Sequence, residues 1–551
     1  MAWPRKPPHL AEGLAALTLL PVLAGLAGTV VLAWSGNGIA ALAVSPGLAR
    51  SAALSLGTGL AATVLATSLA LLIIGALAGT PGFSPLRRLL SPLLALPHAA
   101  AALGLAFLFA PSGWIARALS PWATGWTVPP DLMILNDPYG ISLTLGLAAK
   151  EVPFLLLMAL AVWPQMDAPR RLMLAASLGH GRITSFAFAV LPALARNLRL
   201  PIHAVLAYSM TSVEMALVLG PTLPAPLAVQ VLRWTQAPGL ADQPKAAAGG
   251  LLLLALVIGA IALCEATARL LSHLLTHLAA SGHRATRLDA PGRGFARTAA
   301  IGMAAGLFAG QAGLLLWSVA GLWPFPRVLP QNVSLDVWTR AMGALTGALA
   351  NTAALGVLVT ALSLCLGLAL LQSAGTKLSA PLTAAIYLPL LIPQITLMPG
   401  LAALLLRLGT GFVWPAVILG HMAFVLPYVL LSLTGPWHSL DPRLPQIAAS
   451  LGASPARIFW RLRLPMLLPA VLSAAALGFA VSIGQYLPTL LLSGGRIPTL
   501  TTEALALASG GNHRLIGAFS VLQMALPAVG FLVALILPRV IFAHRKGMLS
   551  P

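Results

Sequence analysis

The chain has 551 residues, of which 58% are hydrophobic and only 8% charged, and its mean hydropathy is +0.91. Soluble domains carry roughly 25% charged residues, so a water-covered globular protein is excluded. The net charge of +20 would suit a nucleic-acid binder, but the basic residues gather in alternate connections between apolar runs, so no nucleic-acid partner is expected.

A helix needs about 20 mainly apolar residues to span a bilayer. Such runs are predicted near 12–33, 51–78, 89–110, 141–163, 201–221, 247–270, 298–320, 346–371, 381–405, 412–434, 467–492 and 515–541, six in each half. The expected fold is therefore an all-α polytopic membrane protein in the lipid bilayer. The first run follows Met1-Ala-Trp-Pro-Arg-Lys and superficially resembles a secretory signal, but without a convincing cleavage site it reads as an uncleaved helix. Arg87, Arg88, Arg170, Arg171, Arg182, Arg196, Arg199, Arg443, Arg457, Arg461, Arg463 and Lys377 fall in one set of connections, joined by Arg5, Lys6, Arg545 and Lys546 at the ends. The other set holds single residues such as Arg117, Arg233, Arg327, Arg407 and Arg496. This asymmetry places both termini in the cytoplasm.

Along the chain, the connection between Pro111 and Gly140 carries Trp114, Trp122, Trp126, Asp131 and Asp137. Interfacial anchoring explains the tryptophans, and a docking surface for a partner is the other account. The fourth span contains Lys150 and Glu151, each costing about 2.5–3.5 kcal/mol on insertion scales. Adjacent helical residues do not face one another, so the two do not simply neutralise as a local pair. A tie to a neighbouring helix and a place on a solute pathway both account for them. The fifth span brings Ser209, Thr211, Ser212 and Glu214, and the eleventh Ser482, Gln485 and Tyr486. Helix–helix hydrogen bonding and pathway lining are open for these. His98 and His421 are weaker candidates. Cys264 and Cys365 read as packing residues. His273 and His277, one helical turn apart in the basic stretch 272–297, have a spacing that can chelate a metal. A solvated basic linker explains them more simply, and no metal site is expected.

The two halves repeat. Asp167-Ala-Pro169-Arg170, Ala175-Ala176-Ser177-Leu178-Gly179 and Leu191-Pro192 return as Asp441-Pro442-Arg443, Ala448-Ala449-Ser450-Leu451-Gly452 and Leu464-Pro465. Each Gly follows its loop Pro by ten residues (179 − 169; 452 − 442) and precedes the next by thirteen (192 − 179; 465 − 452). Leu96-Pro97-His98 matches Ile392-Pro393-Gln394 at an offset of 296 rather than 274, so the first half has a connection about 22 residues longer. A tandem duplication follows, with repeats at 1–271 and 298–551 joined by the linker 272–297.

The duplicated signature resembles the "EAA" loop of permease subunits from bacterial ABC importers, and the fused arrangement is similar to the double-length permeases of thiamine and ferric-iron systems. The resemblance implies two type I importer permease repeats in a bacterial inner membrane, each with a loop (near 164–200 and 436–466) that docks a short helix into a separate ATPase subunit. It implies as partners two ABC ATPase subunits, an extracytoplasmic solute-binding protein and a small solute. The coupling residues it singles out are Ala175, Ala176, Gly179, His180, Arg182 and Pro192, then Ala448, Ala449, Gly452, Ser454, Arg457 and Pro465. The family's Glu position is Met173 in one half and Gln446 in the other, so an ion pair from that Glu is not expected. Gly179 and Gly452 suit a left-handed turn or a close backbone approach. The apolar residues after them, Ile183, Phe186 and Phe188, or Ile458, Phe459 and Trp460, suggest a peg for a partner's groove.

No Gly-x4-Gly-Lys-Ser/Thr loop, HExxH site or Gly-x-Ser-x-Gly elbow occurs in the sequence. The chain is therefore expected not to be an enzyme and to hold no cofactor, with ATP bound by its partners. The competing class is a six-plus-six-helix secondary transporter of the major facilitator type. Its signature loop would fall at Gly79–Arg88, which has no acidic residue and matches poorly. A non-transporting scaffold has nothing in its favour beyond the lack of catalytic residues.

Overall fold

A helix that stops and restarts inside the bilayer is the recurrent local event in this chain. The computed structural model describes residues 8–239, 242–282, 284, 286–374, 380–409, 411–508 and 510–542. Arg5, Lys6, His283, Lys377, Arg545 and Lys546 lie outside the described residues. Among the described residues there is helix and no strand beyond one isolated bridge, Ala320 with Val333. Ten helices are long and apolar enough to cross a membrane, and two further pairs, bent by 49° and 99°, bring the number to twelve if each pair is one span.

The first repeat runs α1 (Pro8–Trp34), α2 (Leu48–Leu77), α3 (His98–Phe109), α4 (Ile141–Val162), the short α5 (Ala168–Ser177), α6 (Leu191–Thr211), α7 (Val213–Leu219) and α8 (Asp242–Ala280). The second runs α9 (Asp289–Val319), α10 (Met342–Ala374), α11 (Gln394–Arg407), α12 (Val413–Ser439), α13 (Arg443–Ser450), α14 (Leu464–Gly484), α15 (Leu487–Ser493) and α16 (His513–Ile541). Equivalent helices pack alike: α2 on α4 and α6, and α10 on α12 and α14. Within the 272–297 stretch, α8 runs on to Ala280 and α9 begins at Asp289.

The repeats exchange their first helices. α1 packs on α11 of the second repeat, and α9 packs on α3 of the first. Without a hydrophobic drive between helices in lipid, close backbone approach through small residues supplies the contact. A Cβ on Gly400 would stand 2.1 Å from the Gly25 carbonyl oxygen, and one on Gly28 would stand 2.5 Å from that of Gly400. At the mirror contact, a Cβ on Gly310 would meet the Gly104 carbonyl at 2.7 Å. Each crossing also carries a buried hydrogen bond to an equivalent carbonyl (396 − 100 = 296). Thr29 Oγ1 donates to Thr396 O at 2.6 Å, and Gln311 Nε2 donates to Ala100 O at 3.2 Å.

At the end of the bundle away from the signature loops, the loops of the two repeats interlock. Arg117 is buried and donates to the carbonyls of Ser112, Pro324, Arg327 and Trp323. Trp114 Nε1 donates to Val328 O at 3.0 Å, whereas Trp122 is exposed and Trp126 half-buried. Asp137 starts α4. Burial alone would raise its carboxyl, but the N–H groups of Ile141 and Ser142, each at 2.9 Å, with Tyr139 at 3.1 Å, hold it below the usual carboxylate range. Asp131 stays exposed.

Candidate functional site

Between α6 and α7, Ser212 is extended (φ −65°, ψ 111°), and Gln485 takes the same conformation (φ −74°, ψ 121°) after α14. Each break residue follows its loop proline by twenty residues (212 − 192; 485 − 465), which pairs Gln485 with Ser212; Glu214, at twenty-two (214 − 192), is only approximately equivalent to Gln485. Broken spans expose polar backbone and side chains only where they line a cavity or protein interior. Here both break residues line one cavity of about 210 Å³ to which both repeats contribute.

Of the pathway candidates, the cavity takes in Lys150, Glu151, Ser212, Glu214 and Gln485, and with them Thr211. Ser209, Ser482 and Tyr486 are buried outside its lining. Ser482 Oγ is engaged with His421 Nδ1 at 3.0 Å, and His421 Nε2 lies 2.8 Å from Thr489 Oγ1, so that histidine serves packing. His98, Tyr208, Gln394 and Tyr428 complete the polar wall. Sequence reasoning left these aside or ranked them low, because nothing in an apolar run tells which face a tyrosine or glutamine takes.

The charges are partnered unevenly. Glu151 Oε1 lies 3.1 Å from His98 Nε2, and the His98 ring packs against Tyr208 with centroids 4.4 Å apart. Lys150 Nζ donates to Leu93 O at 3.4 Å. Glu214, only 6% exposed, has no basic partner among the described residues. Every formal charge in the wall comes from the first repeat.

The signature loops fold alike. In the first, the N–H of His180 reaches Ala175 O at 3.4 Å and that of Gly179 reaches Ala176 O at 2.9 Å. In the second, Ala453 reaches Ala448 O and Gly452 reaches Ala449 O, both at 3.0 Å. These paired bonds close a helix end only if the residue after the cap is left-handed, and Gly179 (φ 85°) and Gly452 (φ 83°) are. Ala175, Ala176, Ala448 and Ala449 thus supply the carbonyls of the cap. A wide π-type turn follows at equivalent positions, Phe186–Val190 and Phe459–Arg463, and Pro192 and Pro465 sit in the first turn of α6 and α14.

The exposed apolar side chains lie mostly before each glycine rather than after it. Phe186 and Ile458 are buried, Ile183, Phe188 and Phe459 half-buried, and only Trp460 is exposed. On α5 and α13 and their caps, Met173 is 71% exposed, Leu178 66% and Leu451 81%, with Leu174 and Ile447 also exposed. The residues after the glycine anchor the loop to its own repeat. Arg182 Nε donates to Gly75 O at 3.0 Å and its Nη2 to Ala78 O, satisfying the end of α2. In the second repeat Arg463 Nη1 donates to Gln372 Oε1 at 2.7 Å. Ser454 Oγ accepts from Arg457 N at 3.3 Å, while the Arg457 side chain is exposed. Where Ser454 caps its own turn, the first loop borrows from the inter-repeat segment: Asp289 Oδ1 accepts from Ile183 N at 2.8 Å, and Thr184 Oγ1 donates to Arg284 O at 3.1 Å. His180 packs edge-on against Phe188.

At Gly452 no atom lies within 4 Å of an added Cβ, so conformation rather than space demands the glycine. Gly452→Ala should cost about 1–2 kcal/mol locally, the penalty of a left-handed Cβ, and Gly452→Asn less. Amide exchange over residues 443–453 is expected to quicken in the Ala variant and return towards wild type in the Asn variant. Unchanged exchange in Gly452→Ala would show that the cap does not hold α13.

No family model matches the chain. It is 33% identical over 508 residues to the inner membrane ABC transporter permease protein YnjC of Escherichia coli, covering 92% of both chains. The chain belongs to the ABC importer permeases. It is a fused, double-length permease and a multi-pass inner membrane protein, which sets aside the major facilitator alternative. Shorter permeases match in part. The molybdenum transport system permease protein ModB of Mycobacterium tuberculosis is 35% identical over 160 residues, 26% of this chain and 60% of that protein. The putrescine transport system permease protein PotI of Escherichia coli is 28% identical over 158 residues, 27% of this chain and 56% of that protein.

Proposed function

We propose that this permease forms the solute path of an importer driven by two ATPase subunits, one on each of the loops carrying α5 and α13, with an extracytoplasmic binding protein delivering a small solute. The observation that carries this reading is the duplicated docking helix: two equally capped helices, each presenting large apolar side chains that its own chain leaves uncovered. Such side chains are costly to leave in water and suit a partner's groove. ATP is bound and hydrolysed in the partners, and this chain needs no cofactor of its own. Both termini and both loops lie in the cytoplasm, as the basic residues argue. The repeats span 1–271 and 298–551, with 272–297 between them. The cavity at Ser212 and Gln485 is a point on the path, because broken helices at a repeat interface are where transporters hold solute.

Native mass measurement of the purified complex tests the assembly. One copy of this chain with two ATPase subunits is expected, since both docking helices are on one polypeptide. A complex holding two copies of the chain would overturn it.

A further inference from the structure

We infer that the cavity binds a small organic cation bearing N–H donors, such as a primary ammonium, an amidine or a guanidine. The inference rests on the reading of this cavity as part of the solute path.

The wall has one carboxylate in excess. Lys150 and Glu151 offset each other in formal charge, with Leu93 O and His98 as their nearest hydrogen-bond partners. Glu214 remains, buried and without a basic partner among the described residues. Ionising a carboxylate in such a place is costly unless a counter-charge accompanies it. A cation entering beside Glu214 supplies that charge.

A second, independent observation gives the ligand's hydrogen-bond character. Gln485 is 5% exposed; its Nε2 donates to His421 O at 3.1 Å, but its Oε1 has no partner. A buried amide oxygen of this kind wants a donor. Gln485 Oε1, which lacks a donor, and the Glu214 carboxylate, which has hydrogen bonds from the Val213 and Glu214 N–H groups and Ser212 but no counter-charge, both accept hydrogen bonds. The wall's only ammonium, that of Lys150, donates to Leu93 O, and against Glu151 and Glu214 together it leaves the wall formally negative, so an oxyanion is disfavoured. The volume of about 210 Å³ suits a small molecule. The Tyr208 and Tyr428 rings add faces on which a cation is favourable.

The test is calorimetric titration of the full-length chain in lipid nanodiscs, without ATPase, so that a failure of assembly and a failure of binding are read separately. The probes are butylammonium, 1,4-diaminobutane and guanidinium, with tetramethylammonium as a cation lacking N–H and molybdate as an oxyanion. Saturable binding of at least one N–H cation is expected, with tetramethylammonium at least about tenfold weaker and molybdate silent, as the loss of a charge-assisted bond predicts. Glu214→Gln should weaken the N–H cation at least about tenfold, and Glu214→Asp should keep part of the affinity. Gln485→Leu should narrow the gap to tetramethylammonium. Equal affinity in wild type and Glu214→Gln, saturable molybdate binding, or no saturable binding of any N–H probe would each overturn the inference. Unchanged elution of each variant from a sizing column shows that loss of binding is not loss of fold.

Discussion

Gly400→Leu is expected to abolish the folded permease. The Cβ alone would come within 2.1 Å of the Gly25 carbonyl oxygen and 2.2 Å of the Thr29 amide nitrogen. Those are backbone atoms of α1, so no rotamer change relieves the clash and the helices must part. Overpacking of a core by side chains costs about 1–3 kcal/mol, and a backbone obstruction at a helix crossing should exceed that. Parting α1 from α11 also breaks the bond from Thr29 to Thr396 O. Thermal melting and size-exclusion profiles of the detergent-purified chain provide the measurement. Gly302→Leu, on an exposed face of α9 with no atom within 4 Å of its Cβ, is the control and should behave as wild type. If Gly400→Leu melted with the wild type, the exchanged first helices would not be what holds the repeats together.

Leu178→Asp combined with Leu451→Asp is expected to release the ATPase while leaving the permease intact. Both side chains are among the most exposed large apolar groups in the chain, at 66% and 81%. Removing them takes nothing from the fold, yet a charge in an apolar groove is a loss of the kind seen at interface hot spots, about 2 kcal/mol or more each. Met173 and Gln446 stand where the family carries Glu, so apolar contact has more of the docking to carry in this chain. The single variants should retain part of the ATPase in co-purification and the double variant none, with melting temperature unchanged throughout. Wild-type recovery of ATPase by the double variant would mean that α5 and α13 are not the docking helices.

Spans and duplication were legible because they depend on local composition and on rigid spacing. An apolar run of some 20 residues has few alternatives, and the prolines and glycines of the signature keep their register in both halves. The breaks at Ser212 and Gln485 were not legible. Neither residue is Pro or Gly, and the polar residues clustered around each do not tell where the helix stops. The exchange of α1 and α9 was equally hidden, since Gly25, Gly28 and Gly400 look like the small residues of any membrane helix until a partner is placed against them. Charged cavity residues stood out because a charge in a span needs a reason. Ser482 and Tyr486 sit beside Gln485 in sequence but turn away from the cavity, which depends on a helix phase that the break resets. The exposed apolar side chains lie elsewhere than on the expected peg because Phe186 packs against α2, far away in sequence.

The exchanged first helices also bear on how the protein is made. Gly28 leaves the ribosome 372 residues before Gly400 (400 − 28), and synthesis at about 5–20 residues per second separates them by roughly 20–75 s. Throughout that interval α1 sits in the bilayer with its glycine face and the Thr29 hydroxyl lacking their α11 partner. The wait far exceeds the microseconds in which helices form. The nascent first repeat therefore passes through a long-lived, half-packed state, and an insertase or chaperone that shields a polar-notched helix from lipid would act on it there.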